Sequence, residues 1–353
     1  MKSTSFSVVG LDIGGANIKA VLLQYQKQQI IKHDVSVRVF EIWKEPDSLA
    51  MLLKEMARDL AAPEFSRVAV TMTAELSDAF RTKREGVLYI LDAVEQAFGK
   101  SSIYPFSLEG VFLRYDKAWQ VPLTLAASNW LASARYLAGS FPDGILIDIG
   151  STSTDIIPIY QGKVINKGST DPDRLRSGEL VYSGILRTNP NTIVNQVPMR
   201  GRLCRVAAEH FTCMADVYLI LGRIQPESYS CPTPDGRGKT VVASQERLTR
   251  LVCADSEIMD ITEIKNLAHY LFEKHLQQIT EALLQVLSGL DDTSNLPVMP
   301  VGAGGFLAKE VARRLDLSVI DIDQESCAVS LAALPAYAVA HLLAQDEIGM
   351  ADD

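Results

Sequence analysis

The chain has 353 residues, which is enough for two domains of ordinary size that each bury a core. Hydrophobic residues make up 47% and charged residues 22% of it, a balance that is typical of globular proteins and excludes a disordered chain. The net charge of −9 argues against a general nucleic-acid surface, and no apolar run reaches the roughly 18–20 residues that a membrane-spanning helix needs.

The cysteines and the N-terminus predict a cytoplasmic protein. Five cysteines, an odd number, are widely spaced and include no C-x-x-C pair, so reduced thiols are the simplest interpretation. Asp12 interrupts the first apolar stretch, which argues against a secretory signal peptide. Neither the cysteines nor the five histidines have the spacing of a metal site.

The first part of the chain predicts three strands followed by alternating helices and strands. Three stretches rich in β-forming residues predict the strands: 7–13, 18–25 and 30–40. The apolar positions of 46–61 recur with a period close to 3.6, which predicts a helix. The elements predicted after these are a buried strand at 67–72, a helix at 83–98, a strand at 111–115 and a helix at 122–138.

The turn between the first two strands has the composition of a phosphate-binding loop. Gly14 and Gly15 allow backbone N–H groups to approach an anion without an intervening Cβ. Asp12 ends the strand before them, where a carboxylate is well placed to hold a hydrated magnesium ion. Asn17 follows the turn, and Lys19 is assigned either to phosphate or to solvent.

The same pattern returns 136 residues later, at the start of the second half of the chain. Strands predicted at 144–149, 153–160 and 163–168 repeat the opening of the first half. Asp148 occupies the place of Asp12, and Gly150, Ser151 and Thr152 form the turn, with Asp155 following it. Two copies at this spacing predict two related halves that face one phosphorylated ligand across a cleft.

A polar segment rich in arginine follows. Between residues 174 and 205 there are six arginines, no lysine and one acid. Arg174, Arg176 and Arg187 are therefore candidates for an anion-binding wall, because guanidinium groups suit bidentate contact with phosphate or carboxylate. The alternative is a solvated face with a few ion pairs. A helix is predicted at 205–221, and 223–245, rich in Pro, Ser and Gly, is interpreted as a mobile loop or lid.

A late glycine turn completes the pattern. Gly302, Gly304 and Gly305 lie between a short strand and a helix that runs to about residue 314. Further helices are predicted within 256–289 and at about 327–344.

The order of strand, first loop, second loop and late glycine turn resembles the actin, sugar kinase and Hsp-type chaperone superfamily. The resemblance implies an α/β, two-domain actin-like (ribonuclease H-like) fold with a duplicated βββαβα core and an interdomain cleft. The domains would span 1–140 and 141–353, with the last helix packing on the first domain.

Several further segments resemble a narrower family, the hydantoinase/oxoprolinase-related proteins encoded with the tetrahydromethanopterin-linked one-carbon transfer pathway. These segments are 70–78, 82–87, 127–130, 177–184, 214–218 and 235–238. The most specific is the stretch from Thr71 to Leu76. The resemblance implies a synthase of methanofuran biosynthesis, which joins an aminomethylfuran-methyl diphosphate to the phenol of a γ-glutamyl-tyramine or tyrosine unit and releases pyrophosphate.

In that chemistry the candidate roles are as follows. Glu75 would be the general base for the phenol, with capping of the following helix as the alternative. Asp12 and Asp148 would hold magnesium, supported by Asp155. The groups assigned to the diphosphate belong to both loops and to two helices: Gly14, Gly15, Asn17, Lys19, Gly150, Ser151, Thr152, Lys83 and Asn129. Lys83 could equally lie at a helix start without contacting ligand, and Asn129 could instead bond the backbone.

Three rival functions stay open at this point. An ATP-dependent small-molecule kinase explains both loops and the late turn equally well. An ATP-dependent amidohydrolase would be expected to be much longer, and a non-catalytic nucleotide-sensing protein would be expected to carry a further binding domain or tail. Magnesium is the predicted cofactor, whether ATP binds is left open, and the predicted partners are small-molecule substrates, with a homodimer left open.

Overall fold

The computed structural model of the protein describes residues 5–64, 66–290, 296–322 and 333–352. The chain divides into two compact units. Unit 1 comprises Met1–Asp143, Ile159–Asp171 and Ile322–Asp353, and unit 2 comprises Gly144–Pro158 and Pro172–Asp321. Both units are therefore discontinuous in sequence, whereas the predicted domains were contiguous.

Twelve strands are formed by the residues that the structure describes. They are β1 (Ser5–Ile13), β2 (Asn17–Gln26), β3 (Gln29–Val39), β4 (Arg67–Met72), β5 (Ile103–Pro105), β6 (Gly144–Ile149), β7 (Thr154–Tyr160), β8 (Lys163–Val164), β9 (Leu180–Val181), β10 (Gln196–Met199), β11 (Arg202–Arg205) and β12 (Val298–Val301).

Ten α-helices accompany them in the same ranges. They are α1 (Leu49–Asp59), α2 (Lys83–Phe98), α3 (Tyr115–Gln120), α4 (Asn129–Ala138), α5 (Asp171–Ser177), α6 (Met214–Ile220), α7 (Val241–Thr249), α8 (Ile261–Ser288), α9 (Gly305–Arg314) and α10 (Leu334–Asp352). Among these helices none is both long and apolar enough to cross a membrane.

Unit 1 is built on a five-stranded sheet with the order β3-β2-β1-β4-β5. The first three strands are antiparallel, and β4 joins β1 in parallel, so that Asp12 lies beside Thr71. One face of the sheet packs on α1 and α2, whose apolar residues form a continuous core with it. Helix α10 packs on β1, β2 and β4, and a Cβ on Gly10 would overlap the carbonyl oxygen of Ala336.

Two predicted elements of unit 1 are wrong. The strand expected at 111–115 is not formed: within it Phe112 makes an isolated bridge to Phe106, and Tyr115 begins α3. The helix expected at 122–138 begins only at Asn129, because Ala127 has a φ of 51°, a left-handed conformation that interrupts a helix.

The second sheet has the order β12-β6-β7-β8, and β9 pairs with β7. Strand β12 joins β6 in parallel, which sets Val301 beside Asp148. In unit 2, helices α6, α8 and α9 bury their apolar faces in one core with β6, β7 and β12. Helix α8 begins with a capping box, in which Asp260 and Glu263 each accept from the other's backbone N–H.

The middle of the second half also differs from expectation. The third strand predicted at 163–168 is only the two-residue β8. The helix predicted at 205–221 is instead the hairpin strand β11, a loop and the short helix α6, since Asp216 caps that helix at Cys213. The last predicted helix is present as α10, but its expected start at 327–332 lies outside the described residues.

The segment 223–245 is tied down by a buried ion network. Arg247, fully buried, donates from Nη2 to Asp216 Oδ1 at 2.7 Å and from Nη1 to Asp235 Oδ1 at 3.1 Å. Two segments that are typical of the narrower family, around Asp216 and Asp235, therefore meet through one guanidinium group. Helix α7 begins within this segment, at Val241. The movement of 223–245 as a lid stays a prediction.

Candidate active site

The first loop lies between β1 and β2 and is closed by its own backbone. Gly14 N–H donates to Asn17 C=O at 3.0 Å, and a Cβ on Gly14 would come within 2.7 Å of that oxygen. A Cβ on Gly15 would face open space. From outside, Phe40 N–H donates to Ala16 C=O at 3.0 Å. The loop is thus a tight turn with an open tip, as an anion cradle requires.

Asp12 at the end of β1 is buried and only partly paired. Its Oδ2 accepts from Lys19 Nζ at 3.2 Å, and Lys19 sits directly opposite it on β2. Its Oδ1 is buried and has no hydrogen-bond partner among the residues that the structure describes. A carboxylate oxygen left in this state is an open position for a cation or a proton donor.

Glu75 follows β4 by three residues and is the most perturbed acid of unit 1. Its residue is 1% exposed, and this burial raises the pKa of the carboxyl to about 7. Backbone N–H groups of Glu75 and Ala127 and the charge of Lys83 partly oppose that rise in pKa. Oε2 has no hydrogen-bond partner in the described part of the chain. A carboxyl poised near neutrality is suited to take a proton.

Packing of α2 fixes where Glu75 sits. Gly86 lies against the backbone of Glu75, and a Cβ on Gly86 would come within 2.7 Å of the Glu75 Cα. Helix α2 begins just before it, where the Thr82 hydroxyl accepts from Glu85 N–H at 3.1 Å. The cap of α2 is therefore Thr82, and the alternative role of Glu75 as a helix cap is not observed.

Other predicted groups of unit 1 belong to α2, α4 and the segment after β4. Lys83, at the first turn of α2, pairs with Asp171 at 2.5 Å, a partner that the sequence analysis did not single out. Asn129 is the first residue of α4 and is half-buried. Thr73 lies near both loop and base, since its N–H donates to Ile13 C=O at 3.0 Å. Unit 1 thus assembles the first loop, Glu75 and Lys83 on the carboxyl ends of β1 and β4.

The second loop repeats the turn of the first but is wrapped by a further segment. Gly150 N–H donates to Ser153 C=O at 2.9 Å, as Gly14 does to Asn17. Residues 184–188 then cover the loop: Ile185 N–H donates to Gly150 C=O, and Leu186 and Arg187 N–H both donate to Ser151 C=O. A Cβ on Gly184 would lie 2.6 Å from Thr152 N.

The late glycine turn braces Asp148 from the other side. Gly302 has a φ of 77°, and a Cβ there would overlap Oδ1 of Asp148. Gly304 N–H donates to Ile149 C=O at 2.9 Å, and it too lacks room for a Cβ, because Ile149 fills that space. These two glycines therefore position the acid of the second loop. Gly305 begins α9.

Behind the covering segment lies a buried polar chain. Ser183 Oγ donates to Gln278 Oε1 at 2.9 Å, so it accepts from His275 Nε2 at 3.1 Å, and Tyr218 Oη lies 2.7 Å from His275 Nδ1. Burial lowers the pKa of His275 to about 4, which keeps the imidazole neutral. His275 was missed in the sequence analysis, although it stands as a lone polar residue in the apolar stripe of α8.

The predicted arginine wall is only partly supported by the contacts. Arg174 is buried and does not line an open wall. Its Nη2 contacts Asp155 Oδ1 at 2.6 Å, so it pairs with the acid that was expected to support a metal. Arg176 is exposed and pairs with Asp173 at 3.0 Å, as the solvated-face alternative predicts. Arg187 alone adjoins the second loop, through its backbone.

The donor set can be tested for magnesium. No group of three or more His, Cys, Asp or Glu side chains within the described ranges could hold a metal by itself. Magnesium in enzymes is commonly held by one or two carboxylates with substrate phosphates and water. The open Oδ1 of Asp12 fits such a ligand, and the Asp148 carboxylate is held in place by the glycine turn.

Comparison with known proteins gives the family. The hydantoinase/oxoprolinase family model matches residues 67–346. A protein of Methanocaldococcus jannaschii, named as the synthase of (4-{4-(2-(γ-L-glutamylamino)ethyl)phenoxymethyl}furan-2-yl)methanamine, is 38% identical over 339 residues, which cover 95% of this chain and 97% of that protein. A protein of Methanococcus vannielii with the same name is 31% identical over 205 residues, 56% of this chain and 90% of that one.

Among solved structures, a nucleotide-free acetone carboxylase is similar in fold. It superposes with a TM-score of 0.55 at 11% identity, covering 96% of this chain and 70% of that one. At this identity the likeness concerns the fold alone. The α/β actin-like class that the sequence predicts is confirmed.

Proposed function

The chain belongs to the hydantoinase/oxoprolinase family, and we propose that it is an aryl-ether-forming transferase of methanofuran biosynthesis. The reaction joins an aminomethylfuran-methyl diphosphate to the phenol of γ-glutamyl-tyramine or a related tyrosine unit and releases pyrophosphate. The observation that carries this proposal from the family to a mechanism is Glu75, a buried carboxyl with a pKa raised to about 7 beside a phosphate-type loop.

Glu75 is the proposed general base. A phenol has a pKa of about 10, so its hydroxyl needs a base to become a strong nucleophile at neutral pH. A carboxyl of pKa about 7 is half ionised at that pH and accepts the proton more readily than an ordinary glutamate. The unpartnered Oε2 is the atom that would receive the proton.

The two loops are the proposed diphosphate-binding elements. Backbone N–H groups around Gly14 and Gly15 in unit 1, and around Gly150 and Ser151 in unit 2, would donate to phosphate oxygens, as would the Thr152 hydroxyl. Asp12 and Asp148 are each proposed magnesium ligands, and magnesium, when bound, would offset the charge of the departing diphosphate. Lys83 and Asn129 remain proposed contacts of the same substrate.

The bond changes balance without a nucleotide. The phenol proton passes to Glu75, and the phenolate oxygen attacks the methylene carbon of the furan. The carbon–oxygen bond to the diphosphate breaks, its electron pair leaves with pyrophosphate, and one aryl ether forms. Preorganised N–H donors that stabilise charge developing on the leaving group commonly lower such barriers by several kcal/mol.

The test uses the purified full-length protein with magnesium, the furan diphosphate and γ-glutamyl-tyramine, with no ATP. Pyrophosphate release and ether formation, followed in one reaction by a coupled assay and by mass spectrometry, should appear in equal amounts. Omission of the phenol is the matched control and should abolish both. Formation of ADP from added ATP, with no ether in its absence, would establish kinase-type chemistry and overturn the proposal.

Cytoplasmic location stays a prediction from the sequence. The four cysteines that the structure describes, Cys204, Cys213, Cys231 and Cys253, are all free, which fits a reducing compartment.

A further inference from the structure

The edge of the unit 1 sheet is a long strand with an exposed apolar face. Strand β3 has eleven residues and ends the sheet, with β2 as its neighbour on one side. Its alternate residues Val35, Val37 and Val39 are 39%, 46% and 62% exposed, and the exposed His33 precedes them on the same face. An edge strand of this length and composition is a template for pairing with another strand, and soluble proteins seldom leave one uncovered.

This face is the one that α10 covers elsewhere in the sheet. Val35 lies opposite Val21, which lies opposite Gly10, and Gly10 contacts Ala336 of α10. Directly paired residues share a face of the sheet, so Val35 continues the surface on which α10 packs, and Val37 follows it on the same face. Val21 is fully buried there, whereas Val35 beside it is exposed. The apolar surface therefore runs past the helix to the sheet edge.

We propose that β3 pairs antiparallel with β3 of a second copy of this chain across a two-fold axis. Such an isologous contact requires that one strand be complementary to itself. The polar residues of β3 supply this property, because Lys32, Asp34, Ser36 and Arg38 alternate with the apolar ones on the opposite face.

Charge selects one register. When Ser36 faces its own counterpart, Asp34 lies opposite Arg38 of the second copy, and symmetry repeats this ion pair. In the same register Val35 lies opposite Val37 of the second copy, again twice, on the apolar face. Cross-strand pairs of opposite charge and of β-branched residues each stabilise a sheet by about 0.2–1 kcal/mol.

The neighbouring registers that keep matching faces are less favourable. Pairing centred on Val35 places Lys32 opposite Arg38 of the second copy, and pairing centred on Asp34 places two carboxylates together. Pairing centred on Val37 sets Arg38 opposite Ser36 and forms no ion pair. Within one chain Arg38 contacts Asp59 and Lys32 contacts Asp34. Both are exposed ion pairs, worth about 0–1 kcal/mol each, so they do not prevent the exchange.

The experiment is a charge swap on the full-length protein. Size-exclusion chromatography with light scattering, over a dilution series, should give twice the 38.7 kDa mass of the chain. Arg38→Asp and Asp34→Arg each create like-charged pairs and should raise the dimer dissociation constant at least tenfold. The double variant restores opposite charges and should restore the dimer. Arg313→Asp, an exposed and paired arginine of α9, is the control and should leave the mass unchanged.

Circular dichroism checks that each variant is folded. Should Arg38→Asp unfold through loss of Asp59, Asp34→Arg leaves that contact in place and tests the same pair. A wild-type protein that is monomeric at every concentration would overturn the proposal. So would a dimer that neither single variant weakens, and a double variant that stays monomeric would overturn the assigned register.

Discussion

The two phosphate-type loops have the same local design but different surroundings. Each closes with one backbone hydrogen bond across a glycine turn after an aspartate. The first loop, in unit 1, lies near two buried carboxylates that each have an oxygen without a hydrogen-bond partner among the described residues, Asp12 Oδ1 and Glu75 Oε2. The second loop, in unit 2, is covered by 184–188 and braced by Gly302 and Gly304.

This difference indicates a division of labour. Buried carboxylate oxygens without hydrogen-bond partners lower the free energy of unfolding. Proteins commonly retain such groups at sites where they take part in catalysis. A loop that is hydrogen-bonded from behind and filled by close-packed glycines gains geometric precision instead. We therefore propose that unit 1 supplies the proton transfer besides its phosphate-type loop, and that unit 2 contributes a loop of fixed geometry.

Replacing the proposed base should have the largest effect. Glu75→Gln removes proton acceptance while keeping size, and we expect kcat to fall about 10²–10⁴-fold with little change in KM. The ether-forming assay measures this. Glu55→Gln on the exposed face of α1 is the matched control and should retain full activity. An active Glu75→Gln variant would remove the proton-transfer role from unit 1.

The same substitution should also change how stability depends on pH. The Glu75 pKa rises from 4.5 to about 7 on folding, so the folded state binds more protons between these values and loses stability as pH rises through 7. Glu75→Gln abolishes this loss. Urea unfolding should show that the variant gains about 3 kcal/mol over wild type on going from pH 4.5 to pH 8.

His275 provides the opposite sign for comparison. Its pKa falls from 6.5 to about 4 on folding, so it stabilises the protein above pH 6.5 and this contribution is lost as pH falls through 4. Because His275 is present in both wild type and Glu75→Gln, its contribution cancels in their difference. If the free energy of unfolding of Glu75→Gln differed from that of wild type by the same amount at pH 4.5 and at pH 8, the Glu75 carboxyl would not be perturbed as inferred.

The bracing of the second loop can be tested with a pair of glycines. Gly302 and Gly201 both have positive φ, 77° and 75°, but a Cβ meets Asp148 at Gly302 and nothing at Gly201. Gly302→Ala should therefore weaken pyrophosphate binding by at least tenfold, about 1.4 kcal/mol, measured by calorimetry. Gly201→Ala carries the same backbone strain and should bind normally. If both variants lost the same affinity for pyrophosphate, backbone strain alone would explain the effect.

The sequence predicts the local turns well and their surroundings poorly. The glycine turns, the aspartates before them and the strands on either side follow from short-range patterns, and so does the fold class. The contacts of Arg174 with Asp155 and of Lys83 with Asp171 join residues whose partners depend on tertiary packing. The left-handed Ala127, which starts α4 late, has no signal in composition, because alanine favours helices.

The smallest effect should come from the chain behind the second loop. Ser183→Ala removes the hydroxyl between His275 and Gln278 but leaves the backbone of 184–188 in place. We expect a loss of about 1–2 kcal/mol in unfolding free energy, because His275 Nε2 and Gln278 Oε1 each lose a buried partner. Since Ser183 adjoins the segment that covers the second loop, KM for the diphosphate should rise a few-fold while kcat stays within twofold. Ser140→Ala, on an exposed serine, is the control for both measurements. A fall in kcat with an unchanged KM would instead assign this chain to the chemical step, and the division between the two loops would then fail.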